Sequence, residues 1–438
     1  MEVSATAAKR EWITGRPAWL WLFALLMGGA IHLALWPLSE PPTLFSDFMK
    51  AYWVAAEHLW RGGLNAGYPF TIRGNWSNFP VVAWFFVPLV PLGREAAGWT
   101  YLLIGAAATI AAWAMLVRFA GLRGPLAAAL AFLFLLNGPL LNSLREGNST
   151  HLILLLMVAA LVLWQRGHEF AAGVALGLCA VVKLPLLLFG VYFLARRRWN
   201  IVAGGAAAMV VTGLISLAIF GMAGHFAWFD EAVKPYLGHA LPAFNVQSID
   251  GFLMRLSTGA NELLYWGPIE PSPVHKVVRY CAFAVLLGGF AWLAWRAETK
   301  RLVVPATGAP QPQDLLQFCV VLTLALVISP ISWTHYYLLL LIPLGLYLGG
   351  RLGLPDDAAT RVLFWSGYAL TSLPVIMPTM QMDPEPPIGV WGELAARTIV
   401  SAWLFGALIM LACFARGMWL ATISAVDARG VSDQLRAA

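Results

Sequence analysis

The chain has 438 residues, of which 60% are apolar and only 11% are Asp, Glu, Lys or Arg. A soluble domain carries about 25% charged residues, so this composition excludes a water-soluble globular protein and predicts an integral membrane protein. The formal net charge of +6 does not indicate nucleic-acid binding, because Lys and Arg stand at the ends of apolar runs rather than in one block. The four cysteines lie inside apolar runs without CxxC or Cys/His spacing, which excludes a zinc or disulfide framework.

Long apolar runs recur along nearly the whole chain. A helix needs about 20 residues to cross the hydrocarbon layer, and we predict an all-α, polytopic protein with about 12 transmembrane helices. Short helices that are interrupted by Gly or Pro typically line a cavity. The predicted segments are 18–37, 96–118, 125–142, 150–164, 170–182, 185–195, 199–220, 276–296, 315–329, 336–349, 361–377 and 394–415.

Basic residues before the first segment predict its orientation. Lys9, Arg10 and Arg16 place the N-terminal tail, residues 1–17, in the cytoplasm. The first segment is long and lacks a small-residue cleavage site, so we expect a retained anchor rather than a signal peptide. The remaining expectations are one transmembrane domain over 18–415, outer loops at about 38–95 and 221–275, and a cytoplasmic tail over 416–438.

The apolar run 79–93 leaves an alternative open. We interpret it as a segment that dips into the membrane or lies on its surface. If it crosses the membrane instead, residues 170–195 must form one helix so that the number of crossings stays the same. Arg118, Arg123 and Arg166 would then face outward. We prefer the first topology because it brings the polar motifs described below to one face.

The first outer loop contains a helical pattern over 46–60. Tyr52, Ala55, Ala56 and Leu59 recur at helical spacing, and Ser46 or Asp47 could be the N-cap. This pattern predicts an amphipathic helix at the outer interface, with aromatic side chains at headgroup level.

Polar residues concentrate at the predicted outer ends of the helices. None of the predicted segments contains Asp or Glu, which argues against an ion-coupled transporter with carboxylates at the membrane midplane. An outer pocket with a carboxylate, cations, a histidine and aromatic rings suits a phosphate-linked substrate carried by a lipid. The polar stretches are Asp47, 145–148, Lys183, 245–250 and 329–336.

Four motifs in this order resemble glycosyltransferase family 87. The chain departs from the usual family pattern at Glu146-Gly147-Asn148, where Gly-Gln-Asn is frequent, and at His335-Tyr336, where a His-His pair is frequent. The resemblance covers roughly residues 20–415. The motifs are Asp47-Phe48…Tyr52…Ala55-Ala56, Gly147-Asn148, Ala172-Gly173…Gly177-Leu178…Lys183…Pro185 and Ser329-Pro330…Ser332-Trp333…His335.

The resemblance implies the GT-C type of fold and an inverting transfer of mannose or a similar sugar. The donor would be a polyprenyl-phosphate sugar and the acceptor a glycolipid or glycan, at the outer face of a bacterial cytoplasmic membrane. Asp47 matches the position of the family's catalytic carboxylate and would be the general base. Lys183, Arg145 and His335 are the residues expected to bind the donor phosphate. Substrate contacts are expected from Asn148, Glu146, Trp333, Tyr336, Trp76 and Gln247, with no metal ion and no cofactor.

Each of these residues also has a structural interpretation. Asp47 and Asn148 could cap helices, Lys183 could extend to the membrane surface, and Arg145 could pair with Glu146. At the level of function, two alternatives to the enzyme remain: a transporter or flippase for a lipid-linked sugar, and a non-enzymatic membrane scaffold. A flippase would be expected to show intramembrane charge and a repeat relating its two halves, and the sequence contains neither signal.

Overall fold

A computed structural model describes residues 17–35, 44–62, 76, 78–299, 309–375 and 389–437. Within these residues the fold is helical, without strands, and two isolated bridges pair Ala240 with Ile269 and Val246 with Trp333. The helices are α1 (Pro17–Leu35), α2 (Trp53–Gly62), α3 (Arg94–Ala120), α4 (Gly124–Leu135), α5 (Gly138–Glu146), α6 (Thr150–Gln165), α7 (Glu169–Val182), α8 (Leu188–Ala195), α9 (Trp199–Trp228), α10 (Ile249–Thr258), α11 (Pro273–Thr299), α12 (Pro312–Ile328), α13 (Leu341–Leu348), α14 (Ala358–Thr371), α15 (Gly389–Arg397) and α16 (Ala402–Ala437).

The expected all-helical, multi-pass class is confirmed, but the expected number of crossings is not. Among the described residues, 4 helices are long and apolar enough to cross a membrane, and α4 with α5 adds a fifth if this pair, bent by 54°, is one span. The other apolar helices are shorter than the length that one crossing requires. The four long stretches are Arg94–Ala120, Trp199–Tyr236, Pro273–Ala297 and Gly389–Ile423.

Helices α7 and α9 pack with their backbones in close contact. A Cβ added at Gly173 would lie 2.0 Å from the carbonyl oxygen of Ile201, and one at Gly204 would lie 2.0 Å from that of Phe170. Small residues at such crossings let two membrane helices approach. The glycines of the Ala172-Gly173 motif therefore serve helix packing, and the ionisable group of this motif, Lys183, stands at the end of α7.

The last part of the first outer loop forms a 3-10 helix, Pro80–Leu92, which contains Pro88 and Pro91. Proline removes the N–H groups that a continuous α-helix would need at these positions. The segment packs against α2 and the residues just before it, where Phe86 stacks on Tyr52 with ring centroids 4.4 Å apart. The interpretation that 79–93 dips into the membrane or lies on its surface stays a prediction.

The chain after Asp47 begins with a π-helix, Phe48–Tyr52, and continues directly into α2. Tyr52, Ala55, Ala56 and Leu59 form the buried face of this helical stretch. π-Helical turns are rare and occur frequently at functional sites. The position of this stretch at the membrane surface remains a prediction, whereas its buried face shows how Asp47 is fixed to the rest of the molecule.

Candidate active site

The start of the first-loop helix lies against the turn between α5 and α6. The backbone N–H of Phe45 donates to the carbonyl oxygen of Arg145 over 2.9 Å. Gly147 ends α5 in the left-handed region, with φ +67°, and a Cβ there would lie 2.7 Å from Cβ of Phe48. Glycine is therefore required twice at this position, for its backbone conformation and for the close contact.

Asn148 connects the carboxylate and the lysine that the sequence singled out. Its Nδ2 donates to Oδ2 of Asp47 over 2.7 Å, and its Oδ1 accepts from Nζ of Lys183 over 3.4 Å. The same Oδ1 accepts from the backbone N–H and the hydroxyl of Thr150, so Asn148 also caps α6. The structural interpretation of Asn148 is therefore supported, and its contact with substrate stays a prediction.

Asp47 is not the cap of the helix that follows it. Its backbone is already helical and its side chain makes no capping hydrogen bond. The carboxylate instead turns toward Asn148. Burial raises the pKa of Asp47 above its usual value of 3.8, and the negative charge of Glu146 raises it further. A carboxylate with a raised pKa is better suited to accept a proton near neutral pH.

Glu146 and His335 complete a cluster around Asp47. One donor atom from each of Asp47, Glu146 and His335 lies within 4.8 Å of the others. Nδ1 of His335 lies 3.6 Å from Oε2 of Glu146. The chain thus brings two carboxylates and an imidazole from three distant segments into one site.

Lys183 is buried among residues of the site. Lys183 is 5% exposed, and its Nζ lies 4.3 Å from the ring centroid of Tyr336. Such a contact between an ammonium group and an aromatic ring is attractive, more so when both are desolvated. The interpretation of Lys183 as a residue that extends to the interface is therefore not supported by its geometry.

The second outer loop is bound to the motif that carries His335. The N–H of Gln247 donates to the carbonyl of Ser332 over 2.6 Å, and the N–H of Thr334 donates to that of Asn245 over 2.8 Å. The Gln247 side chain, expected to contact substrate, is fully buried. Its Nε2 donates to the carbonyls of Phe244 and Val400, both over 2.7 Å, so this residue holds the loop.

The remaining predicted residues differ in their access to the cluster. Trp76 is 2% exposed and packs edge-to-face on Tyr52 with centroids 5.9 Å apart, so its ring offers no open face for sugar stacking. Arg145 donates to Oδ1 of Asn142 over 2.8 Å. Tyr336 lies beside His335, with ring centroids 5.1 Å apart. Trp333 and Tyr336 are both partly exposed.

Two buried residues beside the cluster, Tyr52 and His151, were not predicted as site residues from the sequence. The hydroxyl of Tyr52 lies 3.3 Å from Oγ of Ser149. His151 is completely buried, and its Nδ1 lies 3.2 Å from Oγ of Ser143. The sequence could have indicated His151, because this residue follows Asn148 by about one helical turn, at the start of α6.

The cluster also contains the donor types that divalent cations use. Carboxylate oxygens and an imidazole nitrogen could together hold such an ion. The ammonium group of Lys183 approaches the same residues through Asn148 and would compete electrostatically with a cation. The expectation that the site needs no metal therefore stays a prediction.

This structure is a multi-pass helical membrane protein with a carboxylate and a lysine held on one buried amide, and comparison with known proteins gives its class. Residues 76–330, more than half of the chain, match the model of glycosyltransferase family 87. The chain belongs to glycosyltransferase family 87 and is a glycosyltransferase, as the resemblance of its motifs indicated.

Two curated relatives illustrate the similarity. A polyprenol-phosphate-mannose-dependent alpha-(1-2)-phosphatidylinositol pentamannoside mannosyltransferase of Mycolicibacterium smegmatis is 30% identical over 359 residues, 81% of this chain and 77% of that protein. The protein with the same description in Mycobacterium tuberculosis is 27% identical over 270 residues, 61% of this chain and 54% of that protein.

Proposed function

We propose that this protein transfers mannose, with inversion, from a polyprenyl-phosphate donor to a lipid or glycan acceptor at the outer face of the cytoplasmic membrane. One observation carries the proposal: Asn148 holds the Asp47 carboxylate through its amide nitrogen and the Lys183 ammonium through its amide oxygen. A proton acceptor and a cation thus lie on opposite sides of one small, rigid group.

The chemistry requires both charges. In the proposed step an acceptor hydroxyl attacks the anomeric carbon while its proton passes to Asp47. The bond between that carbon and the phosphate oxygen breaks at the same time. The donor phosphodiester carries one negative charge, and the departing polyprenyl phosphate carries two. Lys183 would stabilise the added negative charge as a point charge. His335 lies near enough to assist at the same phosphate.

The relatives support the donor and the kind of acceptor. Their descriptions name polyprenol-phosphate-mannose as the donor and phosphatidylinositol mannosides as the acceptors. An anionic glycolipid in the outer leaflet is therefore the acceptor class that we propose to test first.

Reconstitution of the full chain with labelled polyprenyl-phosphate mannose tests this function. Asp47→Asn should lower turnover by about 10²- to 10⁴-fold, which is the usual contribution of a general base. Lys183→Gln should also lower turnover, because the leaving phosphate loses its counter-charge. Asp230→Asn, on the exposed second loop, is the matched control and should retain normal turnover.

The same assay separates the alternatives. A new glycosidic bond supports the transferase, whereas movement of the donor across the bilayer without a new bond would support the flippase. Near-normal turnover in Asp47→Asn would show that another group is the base.

A further inference from the structure

A cavity lies beside the first-loop helix and is lined by residues other than those of the Asp47 cluster. It has a volume of about 600 Å³ and opens between α2, the end of the 3-10 helix Pro80–Leu92 and the start of α3. Trp53, Glu57, Trp60, Arg61 and Arg94 supply its aromatic and charged lining. Small-molecule sites typically measure about 300 to 1,000 Å³, so the volume suits one lipid headgroup.

The surface around this cavity is apolar and exposed. Val54 is 44% exposed, Phe85 62% and Leu92 50%. In a membrane protein such side chains face the lipid, and exposed tryptophans such as Trp60, at 55%, are typical of the headgroup level. If the first-loop helix lies at the membrane surface as predicted, this recess with its charged residues is within reach of a molecule that diffuses in the bilayer.

The charges in the recess favour an anion. Nη2 of Arg61 lies 2.6 Å from Oε1 of Glu57, so these two residues nearly neutralise each other. The second cation, Arg94, is exposed, and its contact in the described part of the chain joins Nε to Sδ of Met49 over 3.3 Å. A guanidinium matches phosphate in geometry, so the two Nη groups of Arg94 could donate to a phosphate bound in the recess.

We infer that this recess binds the anionic phosphate headgroup of a membrane lipid, with the ring of Trp60 covering a sugar or polyol attached to the phosphate. The recess is coupled to the Asp47 cluster through the helix they share. Trp53 follows Asp47 by roughly 9 Å of helix rise, and Met49, which Arg94 contacts, lies between them. A headgroup held here could extend its sugars toward Asp47, and only this role as the acceptor site rests on the proposed function.

Direct binding measurements on the purified full chain test the inference without relying on turnover. Binding of short-chain phosphatidylinositol is compared with that of phosphatidylcholine of the same chain length. We expect a preference for phosphatidylinositol. The double variant Arg61→Gln/Arg94→Gln should weaken phosphatidylinositol binding by about tenfold or more, since it removes charge-assisted hydrogen bonds. Arg118→Gln, at the exposed far end of α3, is the matched control and should leave binding unchanged.

Three results would overturn the inference: equal binding of the two lipids, a retained preference in the double variant, or displacement by inorganic phosphate as effective as by the lipid. Asp47→Asn should bind phosphatidylinositol with unchanged affinity while losing turnover. A protein that lacks transferase activity but loses its lipid preference in the double variant would contradict the proposed function and still support the headgroup site.

Discussion

Asn148 determines how the charges of the site are arranged at the scale of single residues. Its amide is asymmetric, with a donor at one end and an acceptor at the other, and so it distinguishes Asp47 from Lys183. An Asp at position 148 could not donate to Asp47, and a Leu could do neither. The site therefore depends on this side chain as much as on the two ionisable groups that it joins.

The pH dependence of turnover should report the environment of Asp47. Burial and Glu146 raise the pKa of Asp47 above 3.8, and a general base acts only when deprotonated. Activity should therefore be complete above this raised pKa and fall as the pH decreases through it. Glu146→Gln removes the second charge and should move this acid limb to lower pH. The pH profiles of kcat for the native protein and the variant measure the shift.

Glu270→Gln, on the exposed loop before α11, serves as the control and should leave the acid limb in place. Loss of turnover in Glu146→Gln at every pH would contradict this prediction, because Glu146 would then do more than raise the pKa of Asp47.

Chelation of divalent cations should not lower turnover. Asp47 must stay free to accept a proton, and a carboxylate that binds a metal is a weaker base. Lys183 already supplies a positive charge to the same residues. Turnover measured after treatment with EDTA should equal the untreated value. A loss of tenfold or more that Mg²⁺ or Mn²⁺ restores would show instead that Asp47, Glu146 and His335 bind an ion.

Sequence motifs predicted the chemical groups of the site but not all of their contacts. Asp47, Asn148, Lys183 and His335 were all singled out from the sequence, and the structure brings them together. Gln247 was expected to contact substrate, but a polar residue in an outer loop looks the same in sequence whether it faces a cavity or bonds to the backbone. The latter holds here, since its amide bonds two carbonyls.

At the scale of elements, helix ends were predicted well and helix breaks were not. The segment 96–118 corresponds to α3, Arg94–Ala120, but the segment 125–142 divides into α4 and part of α5. The break was present in the sequence as Asn137-Gly138-Pro139. The Asn137 side chain accepts from the N–H of Leu140 and starts the second helix. Average hydropathy does not detect such a cap, because one polar residue hardly changes its value.

Arg255 on α10 fastens the second outer loop to the start of α16. It is fully buried, and its Nη1 donates to the carbonyls of Ala243 and Val246, both over 2.8 Å. Its Nη2 donates to Oγ of Ser401 over 2.9 Å. Because this loop also binds the motif that carries His335, Arg255 positions the site from a distance.

Replacing Arg255 should therefore destabilise the protein strongly. Arg255→Ala leaves several buried acceptors without a donor, each costing about 1–3 kcal/mol, and we expect a total loss of about 3 kcal/mol or more. Arg255→Lys keeps the charge but not the fork and should give a smaller loss. Thermal unfolding of the purified protein ranks the variants. A change below about 1 kcal/mol for Arg255→Ala would mean that the loop is held by its other contacts.

At the scale of the whole molecule, length alone did not give the number of crossings. Four long helices satisfy the length rule within the described residues, while several shorter apolar helices pack between them. α12 illustrates the reason, because every residue from Asp314 to Val327 is buried. A helix enclosed by other helices has the same apolar sequence as one enclosed by lipid, so hydropathy alone does not distinguish the two.

The predicted orientation places the Asp47 cluster on the outer side, and surface labelling can test it. Asp230 lies in the predicted second outer loop and Arg197 in a predicted cytoplasmic turn, and both are exposed. The background is Cys281→Ser, because the other three cysteines are buried. A membrane-impermeant maleimide should label Asp230→Cys in intact cells and Arg197→Cys only after permeabilisation, since alternating spans put these positions on opposite sides. The reverse pattern would place the site on the cytoplasmic face, where an outer-leaflet acceptor could not reach Asp47.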